Sequence, residues 1–181
     1  MIPLSLSIRG PLVRCVSFTL RREGPGPPPS REGSSGLPRG GRRRPAPPTA
    51  PDRCAGIDGV IIVTPEYSRS IPGVLKNALD WSARPYGQAS FAGKPTAVIG
   101  TSQGPISTAA AQQHLKAILS HYNAPVLGQP EGFIQYVPGV FAEDGEVTNE
   151  GTAAFLVSYL DAFATLIDRY VPVEERASVA A

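Results

Sequence analysis

The sequence predicts an α/β domain built as a doubly wound parallel sheet, and three features carry that prediction. Gly59-Val-Ile-Ile-Val63 is a β-branched run of the kind found in strands buried on both faces. A helical pattern of apolar residues follows it after a short polar connection. The strand-then-helix unit then recurs, and alternating units of this size stack helices on both faces of a parallel sheet.

The elements follow in order. The first strand ends at Thr64-Pro65, and after a polar turn Ser70 is placed to cap a helix with Ile71, Val74, Leu75, Ala78, Leu79 and Ser82 at spacings of three and four. Pro72 falls in its first turn, where a missing N–H costs little. Lys94–Ile99 reads as the second strand and Gly100–Pro105 as a Gly/Ser/Thr turn. A helix over about 106–122 has Ala109, Ala110, Leu115, Ile118 and Leu119 on its apolar side, and Asn123-Ala-Pro125 stops it. Val126-Leu127 and Phe133–Tyr136 offer short strands. A last helix over about 149–170 carries Phe155, Leu156, Leu160, Phe163 and Ile167 as its buried stripe, with Trp81 read as a packing residue of the first helix.

Composition divides the chain. At 181 residues with 41% hydrophobic and 18% charged content it is ordinary globular material, yet the net charge of +2 is a sum of unlike parts. Residues 1–54 hold ten Arg, no Lys and three acids, a balance of +7, whereas the remainder balances at −5. Between Arg21 and Arg53, 23 of 33 residues are Pro, Arg or Gly and none is aromatic. Such a segment cannot bury enough apolar surface to offset its ordering entropy. The expected organisation is therefore a disordered segment over 1–54, a folded domain over 55–172 and a flexible tail over 173–181.

Cys15 and Cys54 are the only cysteines and form no CxxC or Cys/His cluster, so neither a disulfide framework nor a metal site is expected and a reducing, cytoplasmic setting is. No uninterrupted apolar run approaches the ~18 residues of a membrane span. Residues 1–22 have Arg and Ser without acids, a composition shared with organellar transit peptides. The +7 segment also raises a nucleic-acid reading, which the absence of stacking aromatics and the acidic body disfavour.

Ligands of open α/β sheets collect at the carboxyl ends of strands. Two turns occupy such ends, Thr64–Gly73 and Gly100–Gly104. Both combine small residues with free backbone N–H groups ahead of a helix, and Tyr67 adds a flat apolar face. That mixture suits a planar heteroaromatic ligand better than a metal or a bare phosphate.

The stretch Thr-Pro-Glu-Tyr-Ser-Arg-Ser-Ile-Pro-Gly-Val-Leu-Lys-Asn-Ala-Leu-Asp-Trp, residues 64 to 81, closely resembles the strand–loop–helix signature of the NADPH-dependent FMN reductase family, flavodoxin-like enzymes that include bacterial quinone and chromate reductases. Phe91–Pro95, Gly100–Gly104, Ala111–Leu115 and Asn123–Gly128 continue the resemblance over roughly 55–170. It implies a flavodoxin-like fold with FMN and NAD(P)H as cofactors. Hydride would pass from NAD(P)H through FMN to a quinone-like or other small-molecule electron acceptor. It also implies a homodimer or homotetramer. By it, Pro65, Glu66, Tyr67 and Ser68 line the flavin ring, Thr101, Ser102 and Gly104 approach its other side, and Ser70 joins the cofactor-binding set. No side chain is required as acid, base or nucleophile, because the cofactor carries the chemistry. Position 68 is commonly Asn in the family, and Ser68 has shorter reach.

The family's first strand and its Gly-Ser-Leu-Arg-type phosphate loop have no convincing counterpart, Ser7-Ile8-Arg9-Gly10 being a chance echo. Two consequences are expected: Gly59–Val63 becomes an unprotected sheet edge, and residues 1 to about 50 are a frameshifted or wrongly started reading of GC-rich DNA. The alternative function is then a flavodoxin-like remnant or interaction module with weak or no FMN binding. Outside the two turns, His114 and His121 are read as surface or interface residues, Lys76 and Asp80 as a helix-supporting pair, Gly128–Tyr136 as compatible with a subunit interface, and Glu143–Glu146 as a surface turn.

Overall fold

The computed structural model describes residues 57–142 and 144–171, together with the backbone of a strand at 15–19. In chain order the elements are β1 (Cys15–Thr19), β2 (Gly59–Val63), α1 (Gly73–Ser82), β3 (Thr96–Ser102), α2 (Ala109–His121), β4 (Gly132–Gln135) and α3 (Glu150–Tyr170). The four strands form one sheet in the order β1-β2-β3-β4 with every pair parallel. Each connection from β2 onward carries a helix, as parallel pairing requires.

Period-2 alternation divides the strand residues between two cores. Val60, Ile62 and Val98 pack with Leu75 and Leu79 of α1 and with Leu115 and Leu119 of α2. Ala97 and Ile99 point the other way, onto Tyr159, Phe163 and Ile167 of α3. Helices thus cover both faces, and the doubly wound flavodoxin-like class stands. Gln112, fully buried on α2, donates from Nε2 to Thr108 Oγ1 and to the Gly132 carbonyl, both at 2.8 Å, and so fixes α2 against β4.

Several expectations change. Gly59–Val63 is not an edge, because β1 lies beside it in register from Cys15 opposite Gly59 to Thr19 opposite Val63. A strand at 15–19 also departs from an unstructured segment over 1–54; the rest of that segment, the echo at Ser7–Gly10 and the tail at 173–181 lie outside the described residues. Ser70 does not cap α1. The helix starts at Gly73 behind Pro72 and has no side-chain cap, because Ser70 is spent closing a turn two residues earlier. Trp81 is 70% exposed, since α1 buries Leu75, Leu79 and Ser82 and Trp81 points away from that face.

The last helix keeps its predicted start, with Asn149 Oδ1 accepting from the Thr152 N–H at 2.9 Å. Its centre shifts to Tyr159, whose hydroxyl donates to the Val98 carbonyl at 2.7 Å, while Phe155, Leu156 and Leu160 are half-buried. Burial pushes the Tyr159 phenol well above its ordinary range, keeping it a donor. By length and hydropathy α3 is the one helix among the described residues that could cross a membrane; here its Tyr159–Phe163–Ile167 face lies against the sheet.

Candidate functional site

The two turns singled out in the sequence leave the carboxyl ends of neighbouring strands. The Thr64 N–H donates to the Ile99 carbonyl at 3.0 Å, and β2 pairing stops at Val63 opposite Ile99. Beyond that bond no hydrogen bond joins the 65–72 loop to the 100–108 loop among the described residues. β3 continues along its other neighbour, reaching Ser102 opposite Gln135, and the Tyr136 N–H donates to the Ser102 carbonyl at 2.8 Å. Gly100, Thr101 and Ser102 are therefore strand residues, not a turn as the sequence suggested.

Close packing explains why position 100 is glycine. A Cβ there would collide with the Thr64 carbonyl and would lie 2.7 Å from Thr108 Oγ1. After the strand, Ser102 Oγ accepts from the Gly104 N–H at 3.4 Å, and Ser107 Oγ donates to the Ile134 carbonyl at 2.6 Å. The second loop is thus folded back onto β4. Ser102 and Gly104 are half-buried, while Thr101 and Ile106 are exposed.

The first loop is a tight reversal. Tyr67 and Ser70 exchange both backbone hydrogen bonds, N–H to carbonyl at 2.9 and 3.0 Å, around Ser68 and Arg69 at φ 49° and 66°. Two successive positive φ values are the mark of a type I′ turn, which favours Asn and Gly. The frequent Asn at position 68 in the resembling family thus matches the backbone that Ser68 adopts here. Tyr67 is 48% exposed, Ser68 is exposed, and Pro65 and Ser70 are half-buried.

The Glu66 side chain is engaged within the protein. Its carboxylate is only 7% exposed. Oε1 accepts from Arg69 Nη1 at 3.0 Å, and Oε2 accepts from the backbone N–H of Ala111 in the first turn of α2 at 3.1 Å. What Glu66 has left for a ligand is its backbone N–H, which, like that of Ser68, has no acceptor among the described residues. A second tether joins the same loop to α2: Ser70 Oγ and His114 Nδ1 share a 2.9 Å hydrogen bond whose direction follows the imidazole tautomer.

These eight residues, 65 to 68, 70, 101, 102 and 104, lie at the carboxyl ends of adjacent strands and on the loops that leave them, and they suit a planar neutral ring. Exposed Tyr67 and Ile106 supply apolar surface, backbone N–H groups and hydroxyls supply hydrogen bonds, and the one carboxylate is already paired. Among the described residues no three His, Cys, Asp or Glu side chains are grouped to hold a metal. Arg69, the Ser70–His114 contact and Ser107 had no signal in the sequence beyond the three-residue spacing of Glu66 and Arg69. Lys76 and Asp80 pair as expected, at 2.6 and 2.8 Å, on exposed α1. His121 is exposed, and Asp144–Glu146 form an exposed turn.

A parallel sheet covered on both faces, with a small-residue site on the carboxyl-end loops, defines a flavodoxin-like α/β protein. Residues 32–138 match the model of the NADPH-dependent FMN reductase family, and the chain belongs to that family. It is 46% identical over 118 residues to a 2-hydroxy-1,4-benzoquinone reductase from a Burkholderia species, covering 65% of this chain and 64% of that one. It is 45% identical over 115 residues to a quinone reductase of Escherichia coli K12, covering 62% and 60%. Among solved structures it resembles FerB, a flavoenzyme NAD(P)H:(acceptor) oxidoreductase from Paracoccus denitrificans, with a TM-score of 0.65 and 47% identity over 70% of this chain and 71% of that one. The chain thus spans a little under two thirds of the curated relatives it matches.

Proposed function

We propose that the protein is an FMN-dependent NAD(P)H oxidoreductase that reduces a quinone or a similar small acceptor. The observation that carries this reading is the pairing of the Pro65–Ser70 turn with the Thr101–Gly104 segment at adjacent strand ends, in a chain whose family is that of FMN reductases. FMN, when bound, would supply the hydride chemistry between NAD(P)H and the acceptor. The chain's own part is placement. Tyr67 offers a flat apolar face, and the free N–H groups of Glu66 and Ser68 offer donors to ring oxygens or nitrogens. Thr101, Ser102 and Gly104 bound the site from β3, and no residue is assigned a proton transfer.

The test is direct. With added FMN, the purified chain should oxidise NADPH in the presence of 1,4-benzoquinone. The reading fails if the rate with protein and FMN equals that with FMN alone. Self-association belongs to the same proposal: Val74, Ala78 and Trp81 form an exposed apolar stripe along α1, a surface suited to a second copy in a homodimer or homotetramer. Sedimentation should find an assembly that Trp81→Glu weakens, and a monomer at micromolar concentration would exclude it. We place the protein in the cytoplasm by the same family reading.

A further inference from the structure

We infer that the Glu66 side chain is a positioning group: its carboxylate is a clamp that ties the Tyr67–Ser70 turn to the first turn of α2 and does not itself touch the ligand. This inference rests on the proposed flavin site only for its consequence, not for its geometry. α2 begins behind Thr108 without a side-chain cap, and its first turn contains no acid. A helix start of this kind leaves backbone donors without acceptors and carries partial positive charge. Glu66 Oε2 supplies the missing acceptor at Ala111 from 45 residues upstream, and Oε1 holds Arg69, the second of the turn's two central residues.

The turn needs such a hold. Ser68 and Arg69 both adopt left-handed φ values that neither side chain favours, so the closed turn must be held by its surroundings. Glu66 on one side and the Ser70–His114 hydrogen bond on the other pin both ends of it to one face of α2. Helix α2 also follows directly on the loop that carries Ser102 and Gly104. The clamp therefore fixes the spacing between the two loops that would grip a ring, with one charged side chain acting across the sheet end.

Hydrogen exchange on the full chain tests this without flavin. In Glu66→Ala, the hydrogen-bonded amides of Tyr67, Ser70 and Ala111 should exchange about tenfold faster or more than in the wild type. Glu66→Gln, which keeps an acceptor oxygen, should restore most of that protection and guards against a variant that fails to fold. A parallel FMN titration should show the dissociation constant rising about tenfold in Glu66→Ala. At saturation the bound-flavin absorption band should keep its wild-type position. Wild-type exchange at Tyr67, Ser70 and Ala111 in Glu66→Ala overturns the clamp. A shifted absorption band with unchanged exchange also overturns it, because the carboxylate would then act on the ring itself. Failure of the wild type to bind FMN sinks the functional reading, and the exchange result still decides the clamp.

Discussion

The two loops of the candidate site are held by different means. The loop after β3 is anchored mainly by backbone: its first residues stay in the ladder with β4 and Gly100 packs against the Thr64 carbonyl, with one side-chain bond, Ser107 Oγ to the Ile134 carbonyl, added to these. The loop after β2 leaves the sheet at Thr64 and is anchored by side chains, Glu66 to Ala111 and Ser70 to His114. A backbone anchor tolerates no added atom yet is indifferent to most surface chemistry. A side-chain anchor can be retuned one residue at a time. The β3 loop is thus the fixed wall of the site, and the β2 loop its adjustable one.

The largest expected effect breaks the fixed wall. Gly100→Ala drives a methyl into the Thr64 carbonyl and Thr108 and should cost about 3 kcal/mol, read as a lowered urea midpoint. Ser107→Ala removes the hydrogen bond to Ile134 and should cost about 1.5 kcal/mol in the same measurement. On the adjustable wall, Ser68→Asn should stabilise by about 1 kcal/mol, because Asn accepts the left-handed conformation that Ser68 is forced into. Arg69→Ala should be smallest, about 0.5 kcal/mol or less, since that guanidinium is 72% exposed and Glu66 keeps its bond to Ala111. Equal losses for Gly100→Ala and Arg69→Ala would remove the distinction between the two walls.

Much of this architecture was legible in the residues. The β-branched run at 59–63 and the apolar spacing that follows it announce a buried parallel strand and its helix, and both formed within a few residues of their predicted limits. The loops were legible as a place for ligands because small residues and Tyr67 sit between strand and helix. Their internal order was not. Nothing local marks Ala111 as the acceptor-starved N–H that Glu66 serves, because that contact joins residues 45 apart through the tertiary fold. Trp81 misled because a helix face is set by what lies beneath it, and Leu75 and Leu79 already occupied the buried side. β1 escaped for a similar reason: Cys15–Thr19 is short and adjoins an Arg/Pro/Gly-rich segment, and only the exposed ladder of β2 gives it a partner.

One planar flavin between these two loops would draw hydrogen bonds from both of them at once. An FMN titration followed by backbone amide exchange tests it most directly. Saturable one-to-one binding is expected, with protection gained at residues 66–70 and 101–106 together. Absence of saturation, or protection confined to any other part of the chain, would contradict it.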